Sequence, residues 1–204
     1  MRGWKPDEAP GYGWPLNERS WVNPSPNAAN LPMARAYAGT VMLEGTTLSE
    51  ARGTTRPLEM LGAPGLDPRS LLTMLDRIVP NWIEGCRLRP CWFEPTFHKH
   101  QGKLCSGFQI HVDDGAYDHG RFRPWRLMAG TFKCIRRLRG EYQLWRDFPY
   151  EYEHTRLAID LINGSEILRE WVDDVSATPM DLEKLAAKDE AEWTERRADF
   201  LLYR

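Results

Sequence analysis

The stretch DPRSLLTMLDRIV, residues 67–79, constrains the fold most, because a single secondary structure accounts for it. Asp67 predicts an N-cap, and Pro68 suits the first helical position. Leu71, Leu72, Leu75, Ile78 and Val79 recur at helical spacing and predict one buried stripe. A helix with one apolar stripe needs an apolar surface to lie on. SGFQIHV (106–112) offers one, since Phe108, Ile110 and Val112 alternate with Gln109 and His111 as a strand requires. RPCWFEPTF (89–97) predicts a second strand. PWRLMAGTFKCIRRLRG (124–140) predicts a second long helix, starting at Pro124 and stopping near Gly140. Strands interleaved with helices give an α/β or α+β class, with a mixed sheet flanked by helices.

The remaining elements are shorter or less marked. LPMARAYA (31–38) predicts a short helix, and the apolar run TVMLEG after it a buried strand ending at Glu44. RLAIDLIN predicts a short strand or helix, followed by a helix opened by Ser165. The tail from Met180 to Tyr203 predicts a long amphipathic helix burying Leu182, Leu185, Trp193, Phe200 and Leu201. Residues 1–30 are rich in Pro, Gly and Asn, and predict an extended segment anchored by Trp4, Trp14 and Trp21. Lys133, Arg136, Arg137 and Arg139 fall in the last turns of the 124–140 helix, where its dipole favours cations and no ligand is needed. A length of 204 residues suits one domain spanning 1–204.

Charge and cysteine usage exclude several classes. With 27 basic and 29 acidic residues the net charge is -2, so neither a nucleic-acid footprint nor a polybasic membrane patch is expected. No apolar run approaches the roughly 20 residues of a membrane span. MRGWKPDEAPGYGWP lacks the apolar h-region of a signal peptide, so cytoplasmic residence is expected if the chain is complete as given. Cys86, Cys91, Cys105 and Cys134 form no CxxC pair, which argues against zinc-ribbon or thioredoxin chemistry and for buried free thiols. One disulfide is the alternative for an exported chain.

The residues suited to chemistry concentrate in EGTTLSEARGTTRPLE (44–59), which holds three carboxylates, two arginines and five threonines or serines in sixteen residues. Glu44 and Glu50 are the candidate catalytic pair, because glycosidic cleavage needs one carboxyl as acid and one as base or nucleophile. Arg52 and Arg56 offer guanidinium forks for a substrate carboxylate. Thr46, Ser49, Thr54 and Thr55 offer hydroxyls to a sugar, and Gly45 allows close backbone approach. The competing reading is a polar loop stitched by its own ion pairs, which are common and individually weak. In WVNPSPN (21–27), two prolines fix the backbone while Asn23, Ser25 and Asn27 present polar side chains, as a connector or as a wall of the same cleft. His98 and His100, with His111, Asp113 and Asp114, invite a metal reading. A coordination sphere needs ligand number as well as type, and no third and fourth ligand is assignable, so no metal and no cofactor is expected.

Three segments in order, WVNPSPN, AYAGTVMLEGTTLSEARGTTRPLEMLGAP and FEPTFHKHQGKLCSGFQIHV, resemble the exo-β-N-acetylmuramidases, the NamZ-like exo-lytic hexosaminidases of peptidoglycan long catalogued as a domain of unknown function. The family's central motif reads PGT, two or three apolar residues, then EGTNLSEGRGTTRPFE. Ala38 stands at its proline, Thr47 at its asparagine, Ala51 at its second glycine and Leu58 at its phenylalanine. Gln109 and His111 match its GVQIHV pattern, which places them as cleft residues, while His98 and His100 fall where the family has other residues. The match runs nearly end to end, including the terminal FLLY.

That resemblance implies removal of N-acetylmuramic acid from the non-reducing end of peptidoglycan fragments, with one arginine on the lactyl carboxylate and Glu44 or Glu50 holding sugar hydroxyls or tuning an acid. It implies no metal. Family members are roughly twice this length, exported, and begin with a Rossmann-like α/β domain that carries important acidic residues. MRGWKP resembles an internal family segment, MxGWxR, so the chain corresponds to the C-terminal half. The implied partners are muramyl sugars and a separate or missing N-terminal half. A sugar-binding module without turnover, or a packing domain, are the alternatives.

Overall fold

The structure, a computed structural model, describes residues 20–201; Trp4 and Trp14 lie outside them. Helix α1, Leu31–Thr40, starts where Asn30 accepts the Met33 N–H on its side chain, with proline in the first turn. Helix α2, Pro68–Ile78, has the expected cap, Asp67 accepting from the Arg69 N–H, and buries Leu71 and Leu75. Three strands form: β1, Met60–Ala63, which the sequence reading did not mark, and the two expected strands β2, Arg87–Phe93, and β3, Cys105–His111. Strand β2 begins two residues before the expected 89 and ends at Phe93, because Pro95 follows and the chain turns away. Helix α3, Pro124–Leu138, is the predicted long helix.

Sheet order is β1-β3-β2, with both pairings antiparallel. The sheet-and-helix class expected from the sequence holds, with all strands antiparallel. The alternation in β3 sorts its faces as expected. Leu61, Phe108, Ile110 and Val112 join one core with Leu71 and Leu75 of α2 and Leu127, Met128 and Phe132 of α3. On the opposite face Met60, Cys91, Phe93 and Cys105 pack with Ala51, so the 44–59 loop is seated on the back of the sheet. Gly62 and Gly107 face each other across β1 and β3, and a Cβ at Gly107 would sit 1.9 Å from the Leu61 carbonyl oxygen.

Several expectations are corrected. Residues Val41–Gly45 form a 3-10 turn continuing α1, not a strand. Met42 and Leu43 are both buried, which a buried strand and a buried turn allow equally. Gly45 explains the choice: helix α4, Ala158–Asn163, packs so closely that a Cβ there would meet Ile159 backbone at 2.6 Å. Helix α5, Ile167–Asp173, is capped at Glu166, not opened by Ser165. Helix α6, Pro179–Arg197, is long as predicted but buries only Leu182. Leu185, Trp193, Phe200 and Leu201 are exposed; the helix is held to α3 by polar contacts, Arg126 bonding Glu183 and Glu190, more than by a buried stripe.

The basic cluster of α3 does more than answer that helix's dipole. Lys133 is buried and donates to the Trp171 and Asp174 carbonyls, closing the C-terminus of α5, while Arg136 pairs with Asp173 at 2.8 Å. All four cysteines are free, and burial pushes the Cys134 thiol up to about 12. Among the described residues no helix is long and apolar enough to cross a membrane.

Candidate functional site

The 44–59 loop builds itself largely from its own hydroxyls. Thr46 is buried and donates to the Leu43 carbonyl at 2.9 Å while accepting the Leu48 N–H. Ser49 is buried and accepts the Ala51 N–H at 3.1 Å. Thr54 donates to the Ala51 carbonyl and accepts the Arg56 N–H. These are turn bonds that replace a ladder, so Thr46 and Ser49 face the protein interior. Two backbone bonds between Ser49 and Gly62 tie the loop to β1. Ala51, at the motif's glycine, takes φ 59, in the left-handed region.

Charge is organised around Glu50, which is 1% exposed. Its Oε1 accepts from Arg52 Nε at 2.5 Å, with His98 Nδ1 at 3.3 Å. Its Oε2 has no directed hydrogen bond and is met by Lys99 Nζ at 2.8 Å, so the ion pair offsets that oxygen's burial. Burial pushes the carboxyl up, but the Lys99 ammonium and the Arg52 bond outweigh it and hold Glu50 at about 2. A group so held carries charge and does not deliver a proton near neutrality. Arg52 reaches onward, Nη2 donating to Glu44 Oε1 at 2.9 Å, and the Tyr150 hydroxyl donates to Glu44 Oε2 at 3.1 Å. Burial, then the Glu44 charge, pushes the Tyr150 phenol up to about 12.

Glu44 and Arg52 line a pocket of about 380 Å³ with Trp21, Ser25, Asn27 and Tyr37. Its apolar floor is the buried trio Ala28, Met33 and Leu58. The WVNPSPN segment is therefore a wall of the same cleft, held by Trp21 Nε1 donating to the Ala28 carbonyl at 2.8 Å. Of the sequence candidates, the structure brings Ser25, Asn27, Glu44 and Arg52 to the pocket and sets Glu50 behind Arg52. Asn23 and Thr55 are exposed and outside its lining. Arg56, Gln109 and His111 belong to a second polar chain. Arg56 bonds Glu59 at 2.9 Å and Asp113 at 3.2 Å. Arg89 bonds Gln109 at 2.6 Å and His111 at 3.2 Å. Gln109 is buried, so the polar face of β3 is internally bonded and does not line the pocket.

The HKH step is a clasp on the loop. His98 and His100 take φ 69 and 59, so they are in turns, not in the strand that would align two imidazoles. His100 Nε2 bonds the Thr47 carbonyl at 2.8 Å, and Lys99 Nζ donates to the Leu43 and Thr46 carbonyls at 2.6 and 3.1 Å. Among the described residues no three His, Cys, Asp or Glu side chains converge as a metal site would need. Lys99, Tyr37 and Tyr150 are the site residues that sequence reasoning missed. Lys99 was visible only as the middle of an odd HKH triplet, and Tyr150 lies 106 residues from Glu44.

Comparison with known proteins places the chain in a family and identifies its fold. Residues 35–203 match the family described as "Exo-beta-N-acetylmuramidase NamZ, C-terminal". Over 94 residues, 46% of this chain and 22% of the relative, the chain is 42% identical to "Peptidoglycan beta-N-acetylmuramidase NamZ" of Bacillus subtilis (strain 168). Two solved structures of DUF1343 family proteins from Bacteroides fragilis NCTC 9343 share the fold. The first has a TM-score of 0.69 at 18% identity, over 90% of this chain and 45% of that one. The second has a TM-score of 0.59 at 20% identity, over 90% and 44%. The chain thus spans less than half the length of each protein it matches. It belongs to the NamZ exo-β-N-acetylmuramidase family and corresponds to that family's C-terminal domain.

Proposed function

We propose that this domain is the sugar-gripping wall of an exo-β-N-acetylmuramidase site, acting on non-reducing-end N-acetylmuramic acid of peptidoglycan fragments. The supporting observation is the pocket that the Glu44 carboxylate, bonded by Arg52 and Tyr150, lines together with the aromatic rings of Trp21 and Tyr37 and the apolar Ala28, Met33 and Leu58. A pyranose has that pattern of needs. Its C–H face packs on aromatic rings, its acetamido methyl takes an apolar seat, and its hydroxyls or amide N–H donate to a carboxylate. Arg52 Nη1 has no partner among the described residues, and we assign it to the lactyl carboxylate.

Glycoside hydrolysis uses two carboxyl groups flanking the bond. Among the described residues that line the pocket, Glu44 is the one carboxylate. In this reading the second group comes from an N-terminal α/β half, and the present chain alone holds the sugar without turning it over. The same observation favours the neighbouring reading, a binding module that grips muramyl sugars without ever cleaving them. A chromogenic N-acetylmuramic acid glycoside distinguishes the two. The chain alone should release no chromophore, and the chain mixed with a family N-terminal half should. Binding without turnover in the mixture supports the module, and absence of both binding and turnover removes both readings.

A further inference from the structure

The buried cation Lys99 is spent on neither fold class nor pocket lining, and its contacts are unusually complete. Its side chain is 7% exposed. An ammonium has three N–H donors, and this one faces three oxygens: Leu43 O, Thr46 O and Glu50 Oε2. The two carbonyls flank Glu44 and Gly45 in sequence, so the ammonium ties down the turn that carries Glu44 from both sides. The third contact starts a line of alternating charge, Lys99 to Glu50 to Arg52 to Glu44. Arg52 transmits direction because a guanidinium is a rigid planar fork. Once Nε is fixed on Glu50, Nη2 points to one place, and Glu44 Oε1 is there at 2.9 Å.

We propose that Lys99 is the positioning residue of the pocket, locking the backbone around Glu44 and, through Glu50 and Arg52, setting the angle at which the Glu44 carboxylate meets a bound sugar. Lys99 does not line the pocket, so it acts only through these partners. Its charge also decides the state of Glu50. The groups facing Glu50 are Lys99, Arg52 and His98, with Arg146 acting on Lys99 at longer range. Burial is the largest influence on Glu50 and raises it, and Lys99 leads the influences that oppose it. Without Lys99 the opposition to burial weakens, so Glu50 takes up a proton at a higher pH than in the intact site, and Arg52 then loses its charged anchor.

The test reads Arg52 directly, by the protection of its Nε–H against hydrogen exchange in the arginine-labelled chain. As the pH is lowered, Lys99→Met should lose that protection at a higher pH than the wild type, by about tenfold or more where the two differ most, and Lys99→Arg should restore the wild-type profile. Equal protection in Lys99→Met and wild type at every pH overturns the proposal. Should Lys99→Met not fold, the wild type tests the backbone lock. As the pH is raised through the Lys99 titration, the Lys99 Cε and the Glu44 and Gly45 amide resonances should move together, since that ammonium holds the Leu43 and Thr46 carbonyls on either side of them, and movement of Lys99 alone overturns the proposal. The sugar arm rests on the pocket reading above: N-acetylmuramic acid affinity in Lys99→Met should follow the Arg52 profile. If Arg52 responds as expected but the wild type binds no sugar, the lock stands and the pocket reading fails.

Discussion

Removing the charge of Glu50 gives the sharpest test of how the site is held together. In the folded protein its carboxyl sits at about 2 against an ordinary value of 4.5. A carboxyl depressed by folding contributes stability above its unfolded value and loses it as the pH falls through the folded one. The difference of about 2.5 units, at about 1.4 kcal/mol each, is about 3 kcal/mol, present above about pH 4.5 and lost toward pH 2. About 2 kcal/mol of it should be gone by pH 3. At neutral pH, Glu50→Gln leaves Lys99 buried without its counter-charge, which costs about 3–5 kcal/mol. Urea denaturation of wild type and Glu50→Gln, side by side at about pH 6 and pH 3, cancels the other carboxyls common to both. The stability gap should be large at the higher pH and about 2 kcal/mol smaller at the lower one. A gap equal at both would show that Glu50 is not held ionised by Lys99 and Arg52, and the reasoning about the charge line would fall with it.

Other perturbations test separate parts of the structure. Gly45→Ala puts a Cβ against Ile159 backbone, which cannot swing aside, and should cost about 1–3 kcal/mol, read as a melting temperature lower by about 3–10 °C. Arg52→Ala should weaken N-acetylmuramic acid about tenfold or more and N-acetylglucosamine less, by calorimetry, whereas Arg56→Ala, outside the pocket lining, should change neither by more than about threefold; equal loss for both sugars in Arg52→Ala refutes the lactyl contact. Trp193→Ser, on an exposed stretch of α6, should leave thermal stability within about 0.5 kcal/mol of wild type.

Those outcomes map onto what was legible in the sequence. Helix α2 was readable because cap, proline and apolar stripe agree locally, α3 because an opening proline and a closing glycine bracket it, and β3 because strict alternation has one explanation. TVMLEG misled because a short apolar run fits a buried strand and a buried turn equally; the close approach of α4 to Gly45 decides between them, and that contact is 114 residues away in the chain. The apolar residues of α6 looked like a buried stripe, but spacing says nothing about whether a surface is present to receive them. The pocket was half legible. WVNPSPN and Glu44 with Arg52 were marked by residue type and rigid backbone. Lys99 and Tyr150 were not, since a lysine or a tyrosine in a loop carries no sign of the carboxylate that it will meet. The hydroxyls of Thr46 and Ser49 were over-read for the converse reason: Thr and Ser in a loop bond their own backbone as readily as a ligand.

The central claim is that this domain holds muramyl sugar in the Glu44–Arg52 pocket and needs a second half to cleave it. Titration calorimetry of the chain with N-acetylmuramic acid, for wild type and Glu44→Gln, tests it most directly. The account predicts measurable binding by the wild type and a loss of about tenfold or more in Glu44→Gln, the scale of one charge-assisted hydrogen bond. No binding by the wild type, or binding untouched by Glu44→Gln, would contradict it.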